Sequence, residues 1–255
     1  MGSINVRNIT IGQGMPKICV PIVAADDDEL VSVLGQAVEA SPDIIEFRGD
    51  YYKQYRDEEK LINALHIIRD SIGDTVLLFT LRTSNEGGDA DISAGEYFRL
   101  IESVCESGLI DMVDVEAFMQ EGMLNSICDV AHENHVYVVA SSHDFERTPE
   151  EKVIFDRLKY MDDNGADIPK VAVMPETEED VLTLLSATLK YKRLEGSKPV
   201  ITMSMGRTGL ISRLSVELFG SAVTFAAAGR SSAPGQIDIK DVRYILELLH
   251  NSGRN

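Results

Sequence analysis

Short apolar segments alternate along the chain with longer segments in which apolar residues recur every three or four positions. The short segments are apolar over most of their length, which is typical of parallel strands covered on both faces. The longer segments have the period of amphipathic helices, as Leu61, Leu65 and Ile68 illustrate in one of them. Eight strands are therefore predicted, at residues 17–23, 43–48, 75–82, 112–116, 136–142, 168–174, 199–205 and 222–226.

Two of the predicted helices carry recognisable start signals. Thr148 is followed by a proline and two glutamates, and Thr177 is followed by two glutamates and an aspartate. A threonine hydroxyl can accept a hydrogen bond from the unpaired N–H groups of the first helical turn, where acidic residues are also favourable. We therefore expect Thr148 and Thr177 to act as the N-caps of these two helices.

Eight strands, each followed by a helix, indicate a closed (β/α)₈ barrel of the α/β class in a chain of 255 residues. The alternative is an open doubly wound sheet, which usually carries a glycine-rich phosphate-binding motif after its first strand. Neither that motif nor a P-loop occurs in the chain. Because no linker rich in proline, glycine or serine interrupts the pattern, we expect one domain over residues 1–255.

Charge and cysteine content restrict the partners and the compartment. The 42 acidic residues outnumber the 24 lysines and arginines, so binding to nucleic acid or to an anionic membrane surface is not expected. No apolar run approaches the roughly 18 residues that span a bilayer, and no secretory signal is recognisable. Cys19, Cys105 and Cys128 lie far apart and lack metal-ligand spacing. We therefore expect a cytoplasmic protein without disulfides or a zinc site.

Polar residues that could support chemistry lie at the carboxyl ends of the predicted strands, where barrel enzymes place their active sites. Taken singly, several have a structural explanation. Glu46 and Arg48 share one face of their strand and are expected to form an ion pair, and Arg82 could be a surface charge. Their common location nevertheless predicts an active site. The candidates are Glu46, Arg48, Arg82, Glu86, His143, Lys170, Met203 and Met205.

Lys170 is the most informative of these residues, because it interrupts an otherwise apolar strand. A buried ammonium is costly unless a carboxylate pairs with it or it loses its proton. A neutral lysine can attack a ketone and form a Schiff base, which then withdraws electrons from the neighbouring carbon. His143 suits proton removal and return, Glu86 could orient it, and arginines suit an anionic substrate. We therefore predict a Schiff-base enzyme that needs no metal or other cofactor. The alternative is that Lys170 has only a structural role and forms an ion pair with a carboxylate.

The chain also resembles the type I 3-dehydroquinate dehydratases, from its N-terminal alternating segment to its last helix. The order and spacing of seven short segments carry this resemblance. They are Glu46-Phe47-Arg48, Arg82 with Glu86-Gly87-Gly88, Ser142-His143-Asp144-Phe145, Pro169-Lys170-Val171-Ala172-Val173-Met174-Pro175, Ile201-Thr202-Met203-Ser204-Met205, Ile211-Ser212-Arg213 and Ser232-Ala233-Pro234-Gly235-Gln236.

The resemblance implies a lyase of the shikimate pathway, which serves aromatic amino acid biosynthesis by converting 3-dehydroquinate to 3-dehydroshikimate and water. It implies a homodimer and a barrel whose bottom is closed by an N-terminal hairpin. Lys170 would form the Schiff base with the C3 ketone. His143 would act as the general acid and base in proton removal at C2 and loss of the C1 hydroxyl, oriented by Glu86.

The resemblance also implies the substrate-binding residues. Arg213 would pair with the substrate carboxylate, and residues 230–236 would cover the bound substrate. Hydroxyl-binding residues would be Glu46, Arg48, Arg82, Ser232 and Gln236, and the apolar walls would be Met203, Met205 and Phe225.

Three positions depart from the pattern, since Pro21, Phe47 and Ser142 stand where relatives often have serine, tryptophan and asparagine. Arg207 lies near the expected mouth of the barrel, where we interpret it as a solvated residue.

Two other functions remain open. A class I aldolase would use the same lysine to break a carbon–carbon bond, and a non-catalytic barrel would only bind carboxylates.

Overall fold

The computed structural model describes residues 2–194, 196–229 and 235–252. Ten strands occur within them, two in an N-terminal hairpin and eight in one parallel sheet. They are β1 (Ile4–Val6), β2 (Ile9–Ile11), β3 (Lys17–Ile22), β4 (Ile44–Arg48), β5 (Val76–Thr80), β6 (Met112–Glu116), β7 (Tyr137–Asp144), β8 (Ile168–Val173), β9 (Ile201–Ser204) and β10 (Val223–Phe225).

The eight-stranded sheet curves into a nearly closed barrel. Its strands follow the order β10-β3-β4-β5-β6-β7-β8-β9, so neighbours in the sheet are also neighbours in the chain except for β10 and β3. The two ends of this order, β9 and β10, meet beside a parallel bridge between Val200 and Ser221, and the N–H of Ala222 donates to the carbonyl of Val200 at 2.7 Å. The predicted (β/α)₈ barrel is confirmed, and the open doubly wound sheet is wrong. β7 extends beyond its predicted end, which places His143 within the strand.

Helices follow the strands and cover the outside of the sheet. In the described residues they are α1 (Asp27–Glu39), α2 (Glu58–Ile72), α3 (Ala94–Glu106), α4 (Met123–Glu133), α5 (Glu151–Asp163), α6 (Glu178–Lys192), α7 (Leu210–Leu214), α8 (Val216–Phe219) and α9 (Ile239–Ser252). Across the part of the chain that the structure describes, none of the helices combines the length and apolarity needed to cross a bilayer.

One of the two predicted N-caps is confirmed. The Thr177 side chain accepts from the N–H of Asp180, and the Asp180 side chain accepts from the N–H of Thr177, so α6 begins with a capping box. The prediction for Thr148 is wrong, because α5 begins later and Glu150 is its N-cap. The Thr148 hydroxyl instead donates to the carbonyl of Met174 at 2.9 Å. A contact with the segment after β8 thus replaces the local cap.

The apolar core has two parts, one between the sheet and the helices and one inside the barrel. Val6 and Ile11 of the hairpin belong to the interior part, together with Ile44 and Val76 at the beginnings of β4 and β5. The hairpin therefore closes the amino-terminal end of the barrel, as predicted. The carboxyl-terminal end remains for a site.

Candidate active site

A cavity of about 240 Å³ lies at the carboxyl-terminal ends of the barrel strands. Alternation along the strands explains why side chains from several strands line this cavity, because every second residue of a barrel strand points inward. Ser232 and residues 230–234 of the predicted covering segment lie outside the described residues. All the other predicted site residues line the cavity, namely Lys170, His143, Glu86, Glu46, Arg48, Arg82, Arg213, Gln236, Met203, Met205 and Phe225.

Lys170 is buried in β8 and paired with a carboxylate. Its Nζ lies 2.7 Å from Oδ2 of Asp114 and 4.6 Å from the centre of the Phe225 ring. The pairing considered as the structural alternative is therefore present. However, Lys170 also lines the cavity, so the same residue is both paired and within reach of a small molecule.

Asp114 is a site residue that we did not predict. Its Oδ1 accepts hydrogen bonds from Arg82 Nη2 and from the Ser141 hydroxyl, each at 2.6 Å. Burial alone would raise the pKa of Asp114, but Arg82 and Lys170 hold it well below its usual range. A signal was present in the sequence, because Asp114 interrupts an apolar strand just as Lys170 does.

A second buried carboxylate of β6, that of Glu116, also holds Arg82. Glu116 lies 3.2 Å from Arg82 Nη1 and accepts from the N–H and the hydroxyl of Thr83, both at 2.7 Å. Burial opposes the charged form of Arg82, but Asp114, Glu86 and Glu116 together raise its pKa above the ordinary value. The guanidinium is consequently a permanent positive charge in a fixed position. The sequence-based alternative of a solvated surface arginine is wrong.

His143 and Glu86 form the pair that could transfer protons. His143 Nδ1 lies 2.9 Å from Glu86 Oε2, and the backbone N–H of His143 donates to the same oxygen at 3.1 Å. Burial lowers the pKa of His143 well below its usual value, and the charges of Arg82 and Lys170 lower it further. Burial also raises the pKa of Glu86 to about 8, against the opposing charge of Arg82. The imidazole is thus neutral near pH 7, and Glu86 occupies Nδ1 and leaves Nε2 for another partner.

The predicted ion pair between Glu46 and Arg48 is wrong. Arg48 instead makes a two-pronged contact with Asp50, at 2.8 and 2.7 Å, and lies over the Tyr51 ring. Glu46 accepts from the Thr80 hydroxyl at 2.8 Å. The short helical turn after β4 brings Asp50 back toward the strand end, where both of its carboxylate oxygens reach the Arg48 guanidinium.

Arg213 approaches the cavity from α7, and apolar side chains line the cavity as well. It is only 2% exposed, and its Nη1 lies 3.6 Å from the sulfur of Met203. Burial lowers the pKa of Arg213 to about 10. Met205 and Phe225 are likewise buried and line the same cavity. The site can therefore accommodate a small anion with one apolar face.

Phe145 is a further lining residue to which the sequence analysis assigned no role. Its ring stacks on His143, with the ring centres 6.3 Å apart, and it packs against Gly87. Gly87 has a positive φ of 76°, and a Cβ at this position would collide with the Phe145 ring. The glycine therefore permits the aromatic contact that restrains the imidazole.

The three positions that depart from the family pattern do not line the cavity. Pro21 lies within β3, and Phe47 packs in the outer core against Phe79. The Ser142 hydroxyl accepts from Arg157 Nη1 at 3.4 Å. Arg207 is not a lining residue either, which agrees with its interpretation as a solvated side chain.

Comparisons with known proteins give one consistent result. The family model for type I 3-dehydroquinase matches residues 18–253. The 3-dehydroquinate dehydratase of Bacillus subtilis is 42% identical over 254 residues, which cover 100% of both chains. That of Klebsiella pneumoniae is 44% identical and covers 97% of this chain and 98% of its own. A crystal structure of type I 3-dehydroquinate dehydratase from Clostridium difficile superposes with a TM-score of 0.95 at 43% identity, and 98% of each chain is covered.

Proposed function

Because the chain belongs to the type I 3-dehydroquinase family, and therefore converts 3-dehydroquinate to 3-dehydroshikimate and water, we propose that Lys170 is its Schiff-base residue. One observation carries this assignment. Among the described residues that line the cavity, Lys170 is the only one with an amine. The family also makes the aldolase and the non-catalytic barrel unnecessary as explanations of this lysine.

Substrate binding depends on the charge and shape of the cavity. Arg213 pairs with the substrate carboxylate, because its guanidinium lines the cavity and its planar fork matches a carboxylate. Met203, Met205 and Phe225 face the carbon ring. Hydroxyl groups of the substrate are bound by Glu46, Arg48, Arg82 and Gln236, together with Ser232, which lies outside the described residues.

The first chemical stage forms the imine. The ammonium of Lys170 loses a proton, and the free amine attacks C3 of the ketone to give a carbinolamine. The proton that left Lys170 is returned to the carbinolamine hydroxyl, which departs as water and leaves a positively charged iminium, in which Lys170 Nζ is double-bonded to C3. This group withdraws electrons from C2 and makes a proton on that carbon easier to remove.

His143 carries out the elimination. Its neutral imidazole takes the proton from C2, and the electron pair moves toward the iminium to form an enamine. The resulting imidazolium then protonates the departing C1 hydroxyl, which leaves as water. Glu86 holds Nδ1 at 2.9 Å and keeps Nε2 directed to the reacting carbons. Hydrolysis of the conjugated iminium finally consumes one water, releases 3-dehydroshikimate and restores Lys170.

We extend the proposal to the state of the protein in the cell. Residues 1–255 form one domain, two copies associate as a homodimer, and the protein is cytoplasmic. Support for the compartment comes from the buried, unpaired thiols of Cys19, Cys105 and Cys128, which suit a reducing environment. Light scattering tests the dimer, which should give twice the chain mass of 28.1 kDa.

The decisive experiment is reduction with borohydride in the presence of 3-dehydroquinate, followed by peptide mapping. We expect a stable adduct on Lys170 and none when the substrate is omitted. The Lys170→Met variant serves as the control and should acquire no adduct. An adduct on another lysine, or full turnover without any adduct, contradicts the assignment.

A further inference from the structure

Asp114 contacts the proposed reactive nitrogen but has no role in the mechanism described above. Its side chain is completely buried, and its two oxygens have different partners. Oδ2 accepts from Lys170 Nζ at 2.7 Å, whereas Oδ1 accepts from Arg82 and Ser141, each at 2.6 Å. The carboxylate is thereby fixed in orientation, with one oxygen committed to Lys170.

The charge on Lys170 Nζ changes several times in this reaction. The nitrogen is positive as the ammonium, neutral as the attacking amine, positive as the iminium, neutral in the enamine and positive again in the conjugated iminium. A fixed carboxylate at 2.7 Å stabilises the positive states relative to the neutral ones, because the attraction acts in a poorly solvated interior. Asp114 therefore disfavours the free amine and favours the protonated imine.

Asp114 is unsuited to accept the proton that Lys170 must lose. Arg82 and Lys170 hold its pKa well below the usual range, so its protonated form is strongly disfavoured. The neutral imidazole of His143 lines the same cavity and is the other candidate acceptor. The role left to Asp114 is electrostatic.

We propose that Asp114 is a positioning residue that keeps the nitrogen of Lys170 charged, first in the resting ammonium and then in the iminium. It thereby keeps the imine in the protonated form from which the C2 proton can be removed, at the expense of amine attack. This inference rests on the proposed Schiff base at Lys170. It adds Asp114 to the residues that act on Lys170, and the contact between these two side chains does not depend on substrate.

Other ionisable groups surround Lys170, and their effects must be separated from that of Asp114. Of the described residues, Asp114 is the one carboxylate in an ion pair with Nζ. Glu116 provides a matched control, because it is a buried carboxylate on the same strand that contacts Arg82 and Thr83 instead. The remaining ionisable neighbours are Cys19 on β3, Glu46 and Arg48 on β4, Arg82 and Glu86 after β5, His143 on β7 and Arg213 on α7.

The first test measures the proton on Lys170 without substrate. Acetic anhydride labels free amines, and peptide mapping gives the labelled fraction of Lys170 at each pH. We expect Asp114→Asn to lower the pH of half-labelling by about 1–3 units, the range for loss of an adjacent opposite charge. Glu116→Gln should lower it by less than half as much. An unchanged or raised pH in Asp114→Asn, or equal shifts in both variants, overturns the proposal.

The second test measures the iminium. In Asp114→Asn we expect trapping by borohydride to extend to lower pH, while kcat falls by roughly 10²–10³, as for loss of a preorganised charge in an active site. KM should change by only a few-fold. A variant that retains wild-type kcat, or that loses trapping and turnover together, contradicts the role.

The outcomes distinguish this inference from the proposed function itself. If the wild type gives no adduct on Lys170, the Schiff-base assignment fails, but labelling without substrate still reports the pairing with Asp114. If Asp114→Asn does not fold, wild-type protein with ¹³C-labelled aspartate carboxyl groups replaces it. The Asp114 signal should then shift at the pH where Lys170 loses its proton, and a signal that does not respond overturns the proposal.

Discussion

The same strands build both ends of the barrel interior, but one end is packed with apolar side chains and the other holds charged ones. At the amino-terminal end, Ile44 and Ile168 belong to the same apolar cluster as Val6 and Ile11 of the hairpin. Two residues further along β8, Lys170 occupies the same face of the strand and pairs with Asp114. One end contributes stability through burial of apolar area, and the other holds buried charges that stability alone would not require.

The largest effect is expected from Lys170→Met, which tests whether the charged end is catalytic. Without an amine no imine can form, so turnover should fall by roughly 10⁴ or more, on the scale of losing a covalent nucleophile. Steady-state assays of 3-dehydroshikimate formation measure this loss. Circular dichroism should show an intact fold, since Arg82 still pairs with Asp114. Residual activity within tenfold of wild type would refute the role of Lys170.

His143→Ala separates the two stages of the reaction at the same end. Imine formation should persist, because Lys170 is retained, whereas elimination should slow by roughly 10²–10⁴ through the loss of acid–base catalysis. Borohydride trapping measures the first stage and single-turnover kinetics the second. Near-normal turnover would show that another group carries the proton.

Ile168→Ala is the matched change at the apolar end of β8. Ile168 is completely buried, so truncation should lower the free energy of unfolding by about 2–5 kcal/mol. Urea denaturation measures this change. Because Ile168 does not line the cavity, kcat of the folded protein should stay within a few-fold of wild type. A large fall in kcat with unchanged stability would erase the distinction between the two ends.

The smallest effect concerns pH. Burial, Arg82 and Lys170 lower the pKa of His143 well below 6.5, so its neutral base form persists at lower pH than for an exposed histidine. Once Lys170 has formed the imine, elimination should be lost only as pH falls through this lowered pKa, so the acid limb of kcat should have its midpoint below 6.5. The residual activity of His143→Asn should lack this limb. A midpoint above 6.5 in the wild type would contradict the predicted direction.

The two ends also differ in how far sequence patterns predict them. The eight strands and the placement of Lys170, His143 and Glu86 at one end followed from periodicity and from the rule that barrel sites lie at the carboxyl ends. Charged partners were harder to predict. The expected Glu46–Arg48 pair is wrong because Arg48 instead donates two hydrogen bonds to the carboxylate of Asp50, which lies in the next turn. Thr148 failed as an N-cap because Met174 accepts its hydroxyl.

The sequence by itself determined the strand and helix order, the inward face of each strand and the presence of a buried lysine, since all three depend on local spacing. Only the tertiary structure decided that Asp114 meets Lys170. These residues are 56 positions apart and lie on β6 and β8, with β7 between them. Their contact depends on the curvature and register of the closed sheet, which bring distant inward-facing side chains together and which no local pattern specifies.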